Sequence, residues 1–171
     1  VAQARTEKIQ VDLVRAGWRE DYAGLLTAIV GEITGNCFDH NIGKWKDIPG
    51  CWLETHIAQD GVTFIVADRG QGLLTTLRQV LPQLNNSTEA LNTAFTKTVT
   101  GRAPEARGNG LKFVLQSFRA FPTSVSFYFA TGDAELRLNG IVDSANIHEY
   151  IHNTDKTVWG MCSEFMVQKT L

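Results

Sequence analysis

Between residues 20 and 42, apolar side chains recur at Leu25, Leu26, Ile29, Val30, Ile33, Cys37 and Phe38. This is the spacing of a long helix that must bury one face, and Gly43 is placed to stop it. The same helix carries a polar stripe. Glu32, Asn36, Asp39 and His40 follow one another at helical steps of three and four, so they share a face. Two carboxylates, an amide and an imidazole beside a buried stripe are costly unless they are paired or solvated. Oxygen donors of this kind suit Mg²⁺, which takes one or two protein oxygens together with substrate phosphates. A plain solvated helix face fits the spacing equally well.

The rest of the chain is organised around this helix. Alternation at Ile9, Val11 and Leu13 predicts a strand over residues 7 to 14. The apolar runs 51 to 58 and 62 to 67, separated by Asp60-Gly61, predict a β-hairpin. Helices are predicted over 73 to 81, ended by Pro82, over 88 to 95, and over 109 to 120. Runs 124 to 130 and 134 to 138 read as a second hairpin around Thr131-Gly132-Asp133, followed by a short helix at 144 to 153 and a closing strand at 157 to 168. Helices mixed with hairpins, without strict βαβ alternation, predict an α+β fold. The expected form is a two-layer α/β sandwich with a mixed, mostly antiparallel sheet covered on one face by helices.

With 171 residues the chain suits one domain. Sixteen Lys and Arg against 18 Asp and Glu give a net charge of −2. That balance supplies no general pull toward nucleic acid or anionic membrane, so any bound anion needs a local site. No apolar run is long enough to span a bilayer, and the polar N-terminus has no signal-peptide core. A soluble, cytoplasmic domain is expected. An opening Val1 in place of Met is expected of a processed chain or a segment of a longer protein. Cys37, Cys51 and Cys162 are odd in number and widely spaced, and they read as reduced, mostly buried thiols.

Two glycine-rich loops enter helices: Asp68-Arg69-Gly70-Gln71-Gly72 and Arg107-Gly108-Asn109-Gly110-Leu111. Glycine there permits close backbone approach, and a helix N-terminus favours phosphate. Neither loop matches a P-loop or a dinucleotide fingerprint. In order, Glu32-x-x-x-Asn36, Asp68-x-Gly70-x-Gly72 and Gly108-x-Gly110-Leu111 resemble the N, G1 and G2 boxes of the GHKL superfamily, which comprises gyrase-type ATPases, Hsp90, MutL and histidine kinases. The resemblance covers roughly residues 7 to 168 and implies the Bergerat fold, with ATP held between the helical layer and a lid.

By that resemblance Glu32 polarises the attacking water and Asn36 binds Mg²⁺. Asp68 accepts a hydrogen bond from the adenine amino group, Gly70 and Gly72 border the base, and Gly108 and Gly110 offer backbone N–H groups to phosphates. Asp39 matches the ATPase branch, whereas His40 matches anti-sigma-factor serine kinases. The lid falls at about 82 to 107, with Lys97, Arg102 and Arg107 as possible phosphate contacts. Ser163, in Cys162-Ser163-Glu164-Phe165, stands for the family's G-T-x-F strand. Lys112 occupies the place of the third glycine of the last box. The implied function is an ATPase or the catalytic portion of a protein kinase in signalling, with a protein partner or a further domain of the same protein. A non-catalytic module that reports bound nucleotide to a partner is the alternative.

His148-Glu149-Tyr150-Ile151-His152 satisfies H-E-x-x-H, which on a helix would hold Zn²⁺ with the glutamate as general base. A third ligand is wanting, because Glu164 lies on a predicted strand. Surface histidines are the favoured reading.

Overall fold

The computed structural model describes residues 2–45, 47–99, 110–141 and 143–169. Helix α1 (Ala2–Arg15) leads into α2 (Glu20–Asp39), the long helix of the sequence pattern. Strands β1 (Cys51–Ile57) and β2 (Gly61–Asp68) form the expected hairpin. Three helices follow: α3 (Leu73–Arg78), α4 (Ser87–Thr96) and α5 (Gly110–Ser117). Strand β3 (Val125–Asn139), a 3₁₀-helix (Ser144–Tyr150) and β4 (Ile151–Gln168) complete the chain.

The strands make one sheet in the order β1-β2-β4-β3, and every pairing is antiparallel, so the mixed element of the expectation is absent among the described residues. Strand alternation divides the sheet into two faces. Val62, Phe64, Val66 and Asp68 of β2 stand opposite Val167, Phe165, Ser163 and Met161 of β4, and all are buried. These side chains, with Val125, Phe127 and Phe129 of β3, meet Leu26, Ile29, Val30 and Ile33 of α2, Leu91 and Phe95 of α4, and Val114 of α5 in one core. Phe64 and Phe165 stack at 4.8 Å, and Phe95 meets Phe129 edge-on at 5.5 Å. Helices therefore cover one face, while Trp52 and Met166 on the other are 65% and 37% exposed. This α+β arrangement is compatible with a two-layer sandwich.

Several local expectations are corrected. Residues 7 to 14 lie in α1, not in a strand. Ile9 and Leu13, four apart, are buried together against α2 while Val11 is 47% exposed, a short pattern that satisfies either period. Thr131-Gly132-Asp133 is not a hairpin turn. β3 runs straight through it, and the register against β4 shifts on both sides of Gly132, whose φ is +58°. A bulge absorbs the turn-like residues. The true hairpin joins β3 to β4 through the 3₁₀-helix, so β4 begins at Ile151 and not at residue 157. Finally, α4 lies inside the segment expected to be a lid, yet Ala90, Leu91 and Phe95 have no exposed surface. That helix belongs to the core.

Candidate functional site

Helix α2 is apolar toward the sheet, and where its polar stripe meets the C-terminal end of β2 the packing leaves a cavity of about 760 Å³, a size suited to a small-molecule ligand. Glu32, Asn36 and Asp39 line it from α2 and His40 from the residue that caps it, Asp68 from the end of β2, Gly72 from the first glycine loop, and Gly110 and Leu111 from the start of α5. Residues far apart in sequence thus converge on one hollow. Gly70 adjoins it through Asn41 but does not itself line it. Arg107, Gly108, Asn109 and Arg102 lie outside the described residues.

Asp68 ends β2 on the buried face, and its Oδ1 accepts a hydrogen bond from Gly70 N at 2.7 Å. Burial pushes its carboxyl above the usual range, opposed by hydrogen bonds from Gly70 N, the Cys37 thiol and Met161 N. A buried carboxylate is tolerated here because several donors face it. The glycines around it are set by close approach. A Cβ on Gly70 would lie 2.1 Å from the Asn41 side chain, and one on Gly160 (φ +78°) would lie 2.3 Å from the Asp68 carbonyl oxygen.

Asn41 ties the helix to the loop: its Nδ2 donates to Cys37 O at 2.9 Å, and its Oδ1 accepts from Gln71 N at 3.0 Å. Thr131 ties the loop to the sheet, donating to Gly160 O at 2.7 Å and accepting from Leu73 N at 3.1 Å. That last bond occupies the first N–H of α3. Asn41, Thr131, Gly160 and Cys37 were missed as site residues. Only Asn41, directly after Asp39-His40, carried a positional hint, since the other three are joined to the site by sheet register and helix packing.

Glu32 is exposed at the cavity rim and Asn36 is half-buried. A Cβ on Gly110 would lie 2.7 Å from Glu32 Oε2 and 3.3 Å from Asn36 Nδ2. Glycine at this point keeps both polar heads uncovered. A carboxylate and an amide oxygen beside an open hollow fit the small protein share of a Mg²⁺ coordination shell. Lys97 and Lys44 also line the cavity, whereas Arg69 is engaged with Asp47 at 2.7 Å. Ser163 does not line it. Ser163 lies on the inner face of β4 between Val66 and Phe129, and its buried Oγ has no hydrogen-bond partner among the described residues.

The histidines of H-E-x-x-H do not share an α-helix: His148 is in the 3₁₀-helix and His152 on β4, so the premise of that motif fails. Among the described residues no group of three or more His, Cys, Asp or Glu is arranged to hold a metal ion. No described helix is long and apolar enough to cross a membrane. No protein-family model and no curated protein sequence matches the chain.

Proposed function

We propose that the chain is an ATP-binding domain of the GHKL type with a Bergerat fold, serving as an ATPase or as the catalytic portion of a protein kinase in signalling. The observation that carries this reading is the single cavity that gathers Glu32 and Asn36, Asp68 and Gly72, and Gly110, members of three boxes separated in sequence. Asp68 supplies a buried, oriented acceptor, the feature needed to select an exocyclic amino group in competition with water. Ser163 lies two pairs along the β2–β4 register from Asp68 and outside the cavity lining, so its part in the site rests on the resemblance alone. Asn36 would hold Mg²⁺ at the phosphate end, where the ion offsets phosphate charge. Glu32 would then act as general base toward water or a substrate hydroxyl.

The half-buried Lys112 in place of a third glycine favours a second reading, a module that binds nucleotide and turns it over slowly or not at all. Calorimetric titration with ATP, ADP and a non-hydrolysable analogue, with and without Mg²⁺, tests both. The expected result is binding of all three, strengthened by Mg²⁺, with slow hydrolysis that Glu32→Ala abolishes while binding persists. Absence of adenine-nucleotide binding by the folded chain would overturn the proposal.

A further inference from the structure

Strand β1 is an edge of the sheet, and it pairs with β2 along its whole length without a register shift. Native sheets blunt such edges with lysine, proline or a bulge, because the unpaired N–H and C=O groups template another strand. Cys51-Trp52-Leu53-Glu54-Thr55-His56-Ile57 carries none of these devices. The direction of each edge group follows from the ladder. Ala58 N donates to Gly61 O at 2.8 Å, and these two residues continue the register that sets Ile57 opposite Val62. They are therefore a hydrogen-bonded pair, and in an antiparallel ladder such pairs alternate with non-hydrogen-bonded ones. Trp52, Glu54 and His56 thus direct their backbone groups to β2. Leu53, Thr55 and Ile57 turn theirs outward, where no described residue bonds them.

We propose that β1 is a self-association seam, on which a second copy of this chain lays its own β1 antiparallel about a twofold axis through Thr55, joining the two sheets into one. Hydrogen bonding across the seam requires outward residues to face outward residues, and the side chains select among the registers that satisfy this. One register sets Glu54 opposite Glu54 of the second copy, which opposes two carboxylates. Another sets His56 opposite His56 of the second copy and leaves both acids unmatched. Registers centred on Leu53 or Ile57 shorten the ladder and give Glu54 no basic partner. Centring on Thr55 places Glu54 opposite His56 of the second copy, and by symmetry does so twice.

The same register is favourable elsewhere along the seam. Leu53 faces Ile57 of the second copy, and Thr55 faces Thr55 of the second copy, each pair exchanging both its backbone hydrogen bonds. Leu53 and Ile57 are half-buried and already pack on the core, so their pairing carries the apolar face across the seam. The Glu54 and His56 pairs fall at non-hydrogen-bonded positions, where facing side chains come closest. His56 Nε2 bonds Glu54 Oε1 of its own strand at 2.6 Å, while Nδ1 has no partner among the described residues. Each imidazole can therefore bridge the acids of both copies. A seam one strand wide falls short of a standard interface, so the dimer is concentration-dependent.

The test is sedimentation velocity on the full chain over a concentration series, with a monomer–dimer equilibrium as the expected result. Thr55→Pro removes only an outward N–H, which an edge strand tolerates, and leaves the β1–β2 ladder whole. It is expected to raise the dimer dissociation constant on the order of tenfold or more, the size of lost backbone hydrogen bonds, while thermal unfolding of the dilute monomer stays close to that of the unmodified chain. Glu54→Lys and His56→Glu are each expected to weaken association. An equal mixture of these two variants should recover it, because the introduced lysine then faces the introduced glutamate, a recovery that misfolded chains cannot give. A chain that stays monomeric throughout the series overturns the seam, as does a dimer that Thr55→Pro leaves equally tight. Should Thr55→Pro fail to fold, the mixture decides: no recovery on mixing overturns the register centred on Thr55.

Discussion

The two faces of the one sheet treat acidic residues in opposite ways. On the helix-covered face Asp68 is buried, and burial pushes its carboxyl up. On the open face Glu54 bonds His56 at 2.6 Å and accepts from Trp52 Nε1 at 3.3 Å, and these partners hold its carboxyl below the usual range. Glu135 is likewise held down, chiefly by Arg137 at 2.7 Å. The open-face acids satisfy one another with neighbours two residues away on the same strand. Asp68 instead depends on α2, β4 and the glycine loop, which makes it costly to keep and useful to a ligand.

The largest test of this contrast is packing. Phe165 is fully buried between Phe64 and Phe118 on the covered face. Phe165→Ala is expected to destabilise the fold by about 3–5 kcal/mol, read by urea unfolding. A loss below 1 kcal/mol would show that the helical layer does not seal this face.

Next in size is the ligand test. Asp68→Asn is expected to weaken ATP binding by roughly 1.5–3 kcal/mol, the value of a hydrogen bond to a charged group, while Glu54→Gln leaves affinity unchanged. Equal affinities for both variants and the unmodified chain would erase the functional distinction between the faces.

The main layout was legible in the sequence where one period held over a long run: α2 and the β1–β2 hairpin follow directly from apolar spacing. The approach of Glu32 and Asn36 to Asp68 was legible through ordered boxes, because each box carries its own local chemistry. What was hidden depends on pairing at a distance. The fourteen residues of α1 hold too few buried positions to separate helix from strand, and the bulge at Gly132 looks like a turn until β4 is laid beside it. Cys37, Thr131 and Gly160 acquire meaning only through contact with Asp68 or its loop, and no local pattern announces such contacts.

Acidification should separate the faces by sign. If, as proposed, Asp68 receives the adenine amino group as an ionised acceptor, ATP affinity is expected to fall as pH drops through its raised pKa, sooner than for an ordinary aspartate. Its effect on the free protein runs the other way. A carboxyl raised by folding contributes stability that is full below the unfolded value and lost as pH rises through the folded one. Glu54 and Glu135, held low, contribute stability above the unfolded value and lose it as pH falls through theirs. In Asp68→Asn the acid-side loss of residual ATP affinity should flatten. An unchanged pH profile in that variant would place the titrating group elsewhere.

The smallest expected effect is at Trp52, which is 65% exposed on the open face. Its indole donates to Glu54 and does not join the core. An exposed side chain whose one polar contact is a surface hydrogen bond contributes little, so Trp52→Ala should change stability by no more than about 0.5 kcal/mol. ATP affinity should be unchanged, since Trp52 points away from the cavity while its neighbours Cys51 and Leu53 share the face of Asp68. Thermal unfolding and calorimetric titration on the single variant read both quantities. A melting temperature that drops as far as in Phe165→Ala would mean that the open face packs against further structure in solution, and the division between a sealed face and an open one would have to be redrawn.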